Sequence, residues 1–273
     1  MSNITTAPSC CDDVPETHTL KVDEARQKIL AAIDPITASE KLTLRNALGR
    51  VMAEDIISPI SVPGHTNSAM DGYALAGDDL PQDSDRTYRV IGKSLAGAPF
   101  NGSCDAGQCI RIMTGAVMPA GTDTVVMQEH VETVEQDSIR IDNRHRAGQN
   151  VRQAGEDIAA GGTVLHASHA LTPADLGVLS SLGIGEVRVR RRPRVAFFST
   201  GDELRSVGEP LSQGDVYDSN RYSLSGMLKR GDVELLDMGV VRDNTEDLRK
   251  AFSEADSMAD VVITSGGVSV GEA

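Results

Sequence analysis

The chain has 273 residues, enough for more than one compact unit with its own core. Hydrophobic residues make up 40% and aromatics only 3%, tryptophan is absent, and the formal net charge is −14. Aliphatic side chains must therefore fill the interior. The composition argues against a base-stacking platform or a cationic footprint for nucleic acid, and an anionic ligand would have to be met by local donors, arginines or a divalent cation. No apolar run approaches a membrane span and the N-terminus lacks a signal-peptide core, so a cytoplasmic protein without membrane partners is expected.

Residues 1–19, rich in Ser, Thr, Pro and Asp, read as a mobile tail. Cys10, Cys11, Cys104 and Cys109 match no zinc spacing and read as ordinary thiols. The first helix is expected from Val22 to Ile33, because Val22, Ala25, Ile29 and Ile33 recur every three or four residues and Pro35 follows. A connecting segment from Leu42 to Ile56 carries Ala47-Leu48-Gly49-Arg50, with Gly49 placed as a helix cap.

The loop Val62 to Ala74 is dense in glycine and small polar residues and holds one carboxylate, Asp71, directly before Gly72. An Asp-Gly turn entering a strand accounts for it without any function. Short strands then follow at Tyr88–Ile91, Cys109–Ile112, Thr124–Met127, Val131–Val134 and Ser138–Ile141, the spacing of an all-β unit. Thr114 places a hydroxyl at the end of the Cys109–Ile112 strand, where a plain turn residue would serve equally well. Arg152-Gln153-Ala154-Gly155-Glu156-Asp157 sets an arginine and two carboxylates around a glycine, which is either a solvated charge pattern or a site. Thr172, Pro173 and Asp175 signal a helix N-terminus, and Leu176, Leu179 and Leu182 lead to a stop at Gly183. His166 and His169 lie in a polar turn and read as surface histidines. Arg188, Arg190, Arg191, Arg192 and Arg194 read as a solvated boundary between units.

Beyond Arg194 the period changes. Strands at Val195–Ser199, Val233–Val241 and Val261–Ile263 alternate with helices at Asn220–Arg230 and Thr245–Ala255, the second capped by Thr245. This βαβαβ succession implies a parallel sheet with right-handed crossovers. The strand ends carry Ser199 to Glu203, Arg242-Asp243-Asn244 and Thr264-Ser265-Gly266-Gly267. In a parallel sheet these line one edge and converge on one crevice. The loops are neither a Walker A nor a GxGxxG fingerprint.

Six segments in this order resemble the molybdopterin molybdenumtransferase family, the MoeA-type enzymes of molybdenum cofactor biosynthesis. They are Ala47 to Arg50, Asn67 to Ala74, Arg111 to Gly115, Gly155 to Asp157, Ser199 to Leu204 and Ser265 to Ser269. The resemblance implies a multidomain α/β fold. An elongated connecting domain would take 20–56 and 153–190, an inserted β-rich domain 57–152, and an incomplete molybdopterin-binding α/β domain 191–273. It implies insertion of molybdenum from molybdate into adenylylated molybdopterin with release of AMP. Mg2+ is the implied cofactor and molybdate the substrate. The implied assembly is a homodimer with shared sites, supplied by an upstream molybdopterin adenylyltransferase.

Carried onto this chain, the resemblance makes Asp71, Thr114, Arg152, Asp157, Glu203 and Asp243 catalytic. It gives Thr200, Gly201, Asp202, Ser219, Asn220, Ser265, Gly266, Gly267 and Ser269 to the pterin nucleotide, and Asp202, Glu203 and Asp243 to magnesium. Thr66 departs from the family, which usually has aspartate there. Family members also continue past Ala273, so a C-terminally truncated chain is expected. A catalytically inactive binding or scaffold fragment and a related adenylyl-transfer enzyme are the other readings that the sequence leaves open.

Overall fold

The computed structural model describes residues 20–266. The expected tail at 1–19, with Cys10 and Cys11, and the site residues Gly267 and Ser269 lie outside the described residues. The chain divides into two compact units. One is Ser39–Arg190, and the other takes the flanking chain, up to Ala38 and again from Arg191.

In chain order the elements are α1 (Val22–Ala32), β1 (Ser39–Thr43), β2 (Ile56–Ile57), β3 (Asn67–Ser68), β4 (Gly72–Leu75), β5 (Arg86–Ser94), β6 (Gln108–Ile112), β7 (Thr124–Met127), β8 (Val131–Glu135), β9 (Ser138–Ile141), β10 (Val151–Arg152), β11 (Thr163–Leu165), α2 (Pro173–Ser181), β12 (Glu186–Arg190), β13 (Arg194–Thr200), β14 (Leu204–Arg205), β15 (Val216–Tyr217), α3 (Ser219–Leu228), β16 (Glu234–Val241), α4 (Thr245–Met258) and β17 (Val261–Ser265).

The Ser39–Arg190 unit is built on a six-stranded sheet in the order β7-β4-β6-β5-β9-β8. Its pairings are antiparallel except β5 with β6. Alternating apolar positions turn Leu75, Tyr88, Cys109, Val126, Ile139 and Ile141 into one buried cluster. A separate cluster joins the two ends of the unit: Ala47, Met52 and Ile56 pack with Leu171, Leu179, Val187 and Val189. The same two ends form an antiparallel ladder, β1 against β12, in which Ser39 faces Arg190. Helix α2 starts as its sequence demands. Thr172 Oγ1 accepts from the Asp175 N–H while the Asp175 carboxylate accepts from the Thr172 N–H, a reciprocal capping box with Pro173 at the first helical position.

In the flanking unit β13 is the central strand of a parallel sheet in the order β16-β13-β17. Burial runs almost unbroken from Val195 to Ser199, as it must for a strand covered on both faces. The carboxyl ends of all three strands therefore share one edge. Asn244, not Thr245, caps α4: its side-chain oxygen accepts from the Asp247 N–H at 2.9 Å, and Thr245 is already the first helical residue. The apolar stripe on α1 is present, but no residue of that helix is buried.

The arginines around Pro193 are held by acids. Arg188 pairs with Glu54, Arg191 with Asp260, Arg192 with Asp232 and Arg194 with Glu234.

Candidate functional site

Asp71 sits between β3 and β4, where the chain leaves a two-residue strand and enters the six-stranded sheet. Its Oδ1 accepts from the Thr114 N–H at 2.8 Å and from Thr114 Oγ1–H at 2.7 Å. Residues 43 positions apart are thus joined, because β4 pairs with β6 and Thr114 lies just past the end of β6. Both bonds stabilise the carboxylate form, the backbone donor first, and hold the Asp71 carboxyl below the ordinary aspartate range. The result is an anionic group with fixed orientation and an exposed hydroxyl beside it.

Arg152 lies on β10, which pairs with β3, so the Arg152 segment borders the strand that leads to Asp71. Its guanidinium is engaged by Glu156 and, at 2.6 and 2.7 Å, by both oxygens of Asp157. The Arg152 bond lowers the Glu156 carboxyl, with a further contribution from the Gln153 N–H. Arg152 is therefore a balanced cation, and an anion reaching it must compete with its two carboxylates. Thr66 Oγ1 is 3.5 Å from the Gln153 side-chain oxygen. It brings a neutral hydroxyl to the beginning of this loop where an aspartate would have added charge.

In the flanking unit the sheet edge opens on a cleft of about 770 Å³ lined by Gly201, Asp202, Arg205, Arg221, Arg242 and Asn244, among others. The Asp243 N–H points at Asp202 Oδ1 at 3.4 Å, so the first and second strand ends meet directly. Glu203 folds back over Gly201, where a Cβ would stand 2.6 Å from its carboxylate. The third strand end closes in as well. Gly266, at φ +108°, lies against Thr200, and a Cβ there would be 2.8 Å from the Thr200 carbonyl oxygen. Ser265 is in register with Ser199. The hydroxyls of Ser199 and Thr200 are buried and make no hydrogen bond. Such orphaned donors at a strand end are the kind of group that a bound ligand satisfies.

Two predicted contacts are not assembled. Ser219 and Asn220 stand exposed in the first turn of α3 and do not line the cleft. Asp202, Glu203 and Asp243 do not converge as a three-ligand set, and no group of three His, Cys, Asp or Glu suited to a metal occurs among the described residues. Their exposed carboxylate oxygens are nonetheless the hard donors that magnesium takes, and this ion is commonly held by one or two carboxylates together with substrate phosphate.

Sequence reasoning missed much of the cleft wall. Arg221 is the main omission: it reaches Asp218 at 3.6 Å and Asp237 at 3.7 Å. The available signal was its position in the first turn of α3, three residues after the buried cap Asp218. Arg205, held by Asp215 at 2.9 Å, had no comparable signal.

Residues 20–183 match the family described as MoeA N-terminal region (domain I and II). The chain belongs to the MoeA family. Residues 196–273 match a second family, described as Probable molybdopterin binding domain. Among curated MoeA relatives, the molybdopterin molybdenumtransferase of Haemophilus influenzae is 48% identical over 254 residues, covering 93% of this chain and 62% of its own. That of Nostoc sp. is 38% identical over 247 residues, covering 89% and 56%. A crystal structure of the molybdopterin biosynthesis moeA protein from Pyrococcus horikoshii superposes with a TM-score of 0.83 at 32% identity, covering 90% of this chain and 66% of that one. This MoeA chain thus spans less than two thirds of the length of the curated relatives named here.

Proposed function

We propose that this chain is part of a molybdopterin molybdenumtransferase, which joins molybdate to the dithiolene of adenylylated molybdopterin and releases AMP. The observation that carries the reading is the cleft at the carboxyl edge of the parallel sheet, whose wall takes Gly201, Asp202, Arg242 and Asn244 from the first two strand ends, while the third strand end lies against Thr200. Ligands of open α/β sheets sit at this edge. Thr200, Gly201, Asp202, Ser265 and Gly266 take the pterin nucleotide, and the unpartnered Ser199 and Thr200 hydroxyls supply donors to it. Arg205, Arg221 and Arg242 bring positive charge to an acidic protein at the point where an anionic substrate needs it. Asp202, Glu203 and Asp243 are the residues to hold Mg2+, which when bound neutralises phosphate charge.

Asp71 and Thr114 form a preorganised polar pair that acts on the reacting end of the substrate, with Arg152 and Asp157 beside it. In a two-fold homodimer each chain supplies this pair to its partner's cleft. The exposed apolar stripe of α1 supports association with a second chain. The layout that goes with this reading has a connecting domain from 20–56 and 153–190 and an inserted β-rich domain from 57–152. The two separate apolar clusters support that division. The protein works in the cytoplasm and receives its substrate from a molybdopterin adenylyltransferase.

The test is incubation of the full-length protein with adenylylated molybdopterin, molybdate and magnesium. AMP release together with formation of active cofactor is expected, and both are expected to fall in Asp71→Asn. A full-length protein that binds the substrate but releases no AMP overturns the reading in favour of a binding or scaffold role.

A further inference from the structure

Arg111 lies within β6, three residues before Thr114, directly opposite Tyr73 in the β4–β6 register. Its guanidinium makes three contacts at once. The carbon centre lies 4.9 Å above the Tyr73 ring, Nη1 donates to the Gly72 carbonyl at 3.2 Å, and Nη2 donates to the Gln128 side-chain oxygen. Gln128 in turn donates its backbone N–H to the Asp71 carbonyl at 3.1 Å and its side-chain amide to Glu129 at 3.1 Å. Asp71 is therefore held at Oδ1 and at its carbonyl, and the next peptide is held as well. Its carboxylate is held by Thr114, its own carbonyl by Gln128, and the carbonyl of the next residue by Arg111.

A planar fork is the only side chain suited to this position. It must reach two acceptors on different segments while its face stacks on an aromatic ring, and a lysine ammonium cannot do all three. A brace meant only to stabilise the sheet would not need to converge on Gly72, which follows Asp71 in the chain, and on Gln128, which bonds the Asp71 carbonyl.

We propose that Arg111 is a positioning residue for Asp71: by clamping Gly72 and Gln128 it fixes the loop that keeps the Asp71 carboxylate on Thr114. This rests on the reading of Asp71 as a site residue, and the test separates the two.

Arg111→Met, Arg111→Lys and Gln128→Ala are made in the full chain. Two quantities are read by NMR: the titration of the Asp71 carboxyl and the hydrogen exchange of the Thr114 amide. In Arg111→Met the Asp71 titration moves up toward the ordinary aspartate value. The Thr114 amide exchanges faster by about tenfold, the scale of losing one hydrogen bond to a charged group. Amides of β9, at the other side of the sheet, keep their rates. Arg111→Lys keeps the charge but leaves the Thr114 amide fast and the Asp71 titration raised, because it cannot bridge both acceptors and the Thr114 bonds are the main cause of the low carboxyl. Gln128→Ala retains the arginine charge and still speeds the Thr114 amide, and it decides the matter if Arg111→Met does not fold.

Unchanged Thr114 exchange and Asp71 titration in folded Arg111→Met overturn the proposal. Exchange that rises equally across the whole sheet also overturns it, since that is the mark of lost stability alone. Absence of AMP release from the full-length protein would count against the functional reading and leave these NMR results standing.

Discussion

Gly72 is the position where a single added methyl group should do the most damage to the Asp71 site. The residue lies between two strands, opposite Ile112 on β6 and Met127 on β7. A Cβ there would stand 2.1 Å from the Val126 carbonyl oxygen and 2.9 Å from its carbon, whereas ordinary contact begins at 3.4 Å. The obstacle is backbone, which cannot rotate away as a side chain can. Gly72→Ala must push β7 outward or break the ladder at this point. Overpacking of this kind costs about 1–3 kcal/mol, and each ladder bond lost adds about 1 kcal/mol. A total of roughly 3 kcal/mol corresponds to a fall of roughly 1 M or more in the urea midpoint.

The chain has two compact units, so a single global midpoint would be ambiguous. Hydrogen exchange with mass spectrometry in graded urea resolves them: peptides covering β6 and β7 report one unit and peptides covering β13 the other. The expected result is early loss of protection in β6 and β7 with β13 unchanged. A Gly72→Ala protein with parental protection in β7 would refute the reasoning, since the carbonyl contact would then be one that the backbone relieves without cost.

Thr172→Ala removes one half of the α2 capping box and is expected to destabilise the Ser39–Arg190 unit by about 1 kcal/mol, while Thr172→Ser retains most of the bond. Urea midpoints of the β12 and α2 peptides check this, and equal midpoints for alanine and serine would sink it. Asp260 carries a pH prediction. Hydrogen bonds from the Arg191 guanidinium, and then from the Arg194 N–H, hold its carboxyl at about 2 against 3.8 for an ordinary aspartate. A carboxyl depressed in the folded state contributes stability that is complete above about 3.8 and lost as pH falls through about 2. Asp260→Asn should therefore lower the melting temperature of the unit that holds β13 at neutral pH, and the gap to the parent should close as pH approaches 2. A gap of the same size at both pH values would show that the ion pair is not its cause.

Much of this architecture was legible in the sequence because its elements are locally consistent. The strand at Ser138–Ile141 alternates cleanly and that at Thr124–Met127 is a short β-branched apolar run, and both could be placed to the residue. The βαβαβ succession fixed that the three strand ends share an edge, and the Asp202–Asp243 contact follows from that topology. What escaped was non-local. The ladders β2–β11 and β3–β10 involve strands of two or three residues, too short for any period, and only their pairing makes them strands. The cap of α4 was placed one residue late because Asn244 and Thr245 are both good capping types, and side-chain geometry alone separates them. Arg221 entered the cleft wall through the packing of α3 beside β16, which no single stretch of sequence encodes. The α1 stripe shows the limit from the other direction: periodicity reveals an amphipathic helix but not what covers it.

The pairing of Ser39 with Arg190 has a wider meaning for how such a protein could arise. The two points at which the chain passes between units are cross-strand neighbours. The unit from Ser39 to Arg190 is therefore a closed circuit that leaves and returns through one doorway. A host chain needs only a single opening to receive it, and the ladder at that opening ties the ends together without help from the host. A cassette of this form can be gained, exchanged or lengthened internally while the parallel sheet on the other side keeps its register. Asp71 and Thr114 lie within the cassette and travel with it, separately from the sheet-edge cleft of the flanking unit.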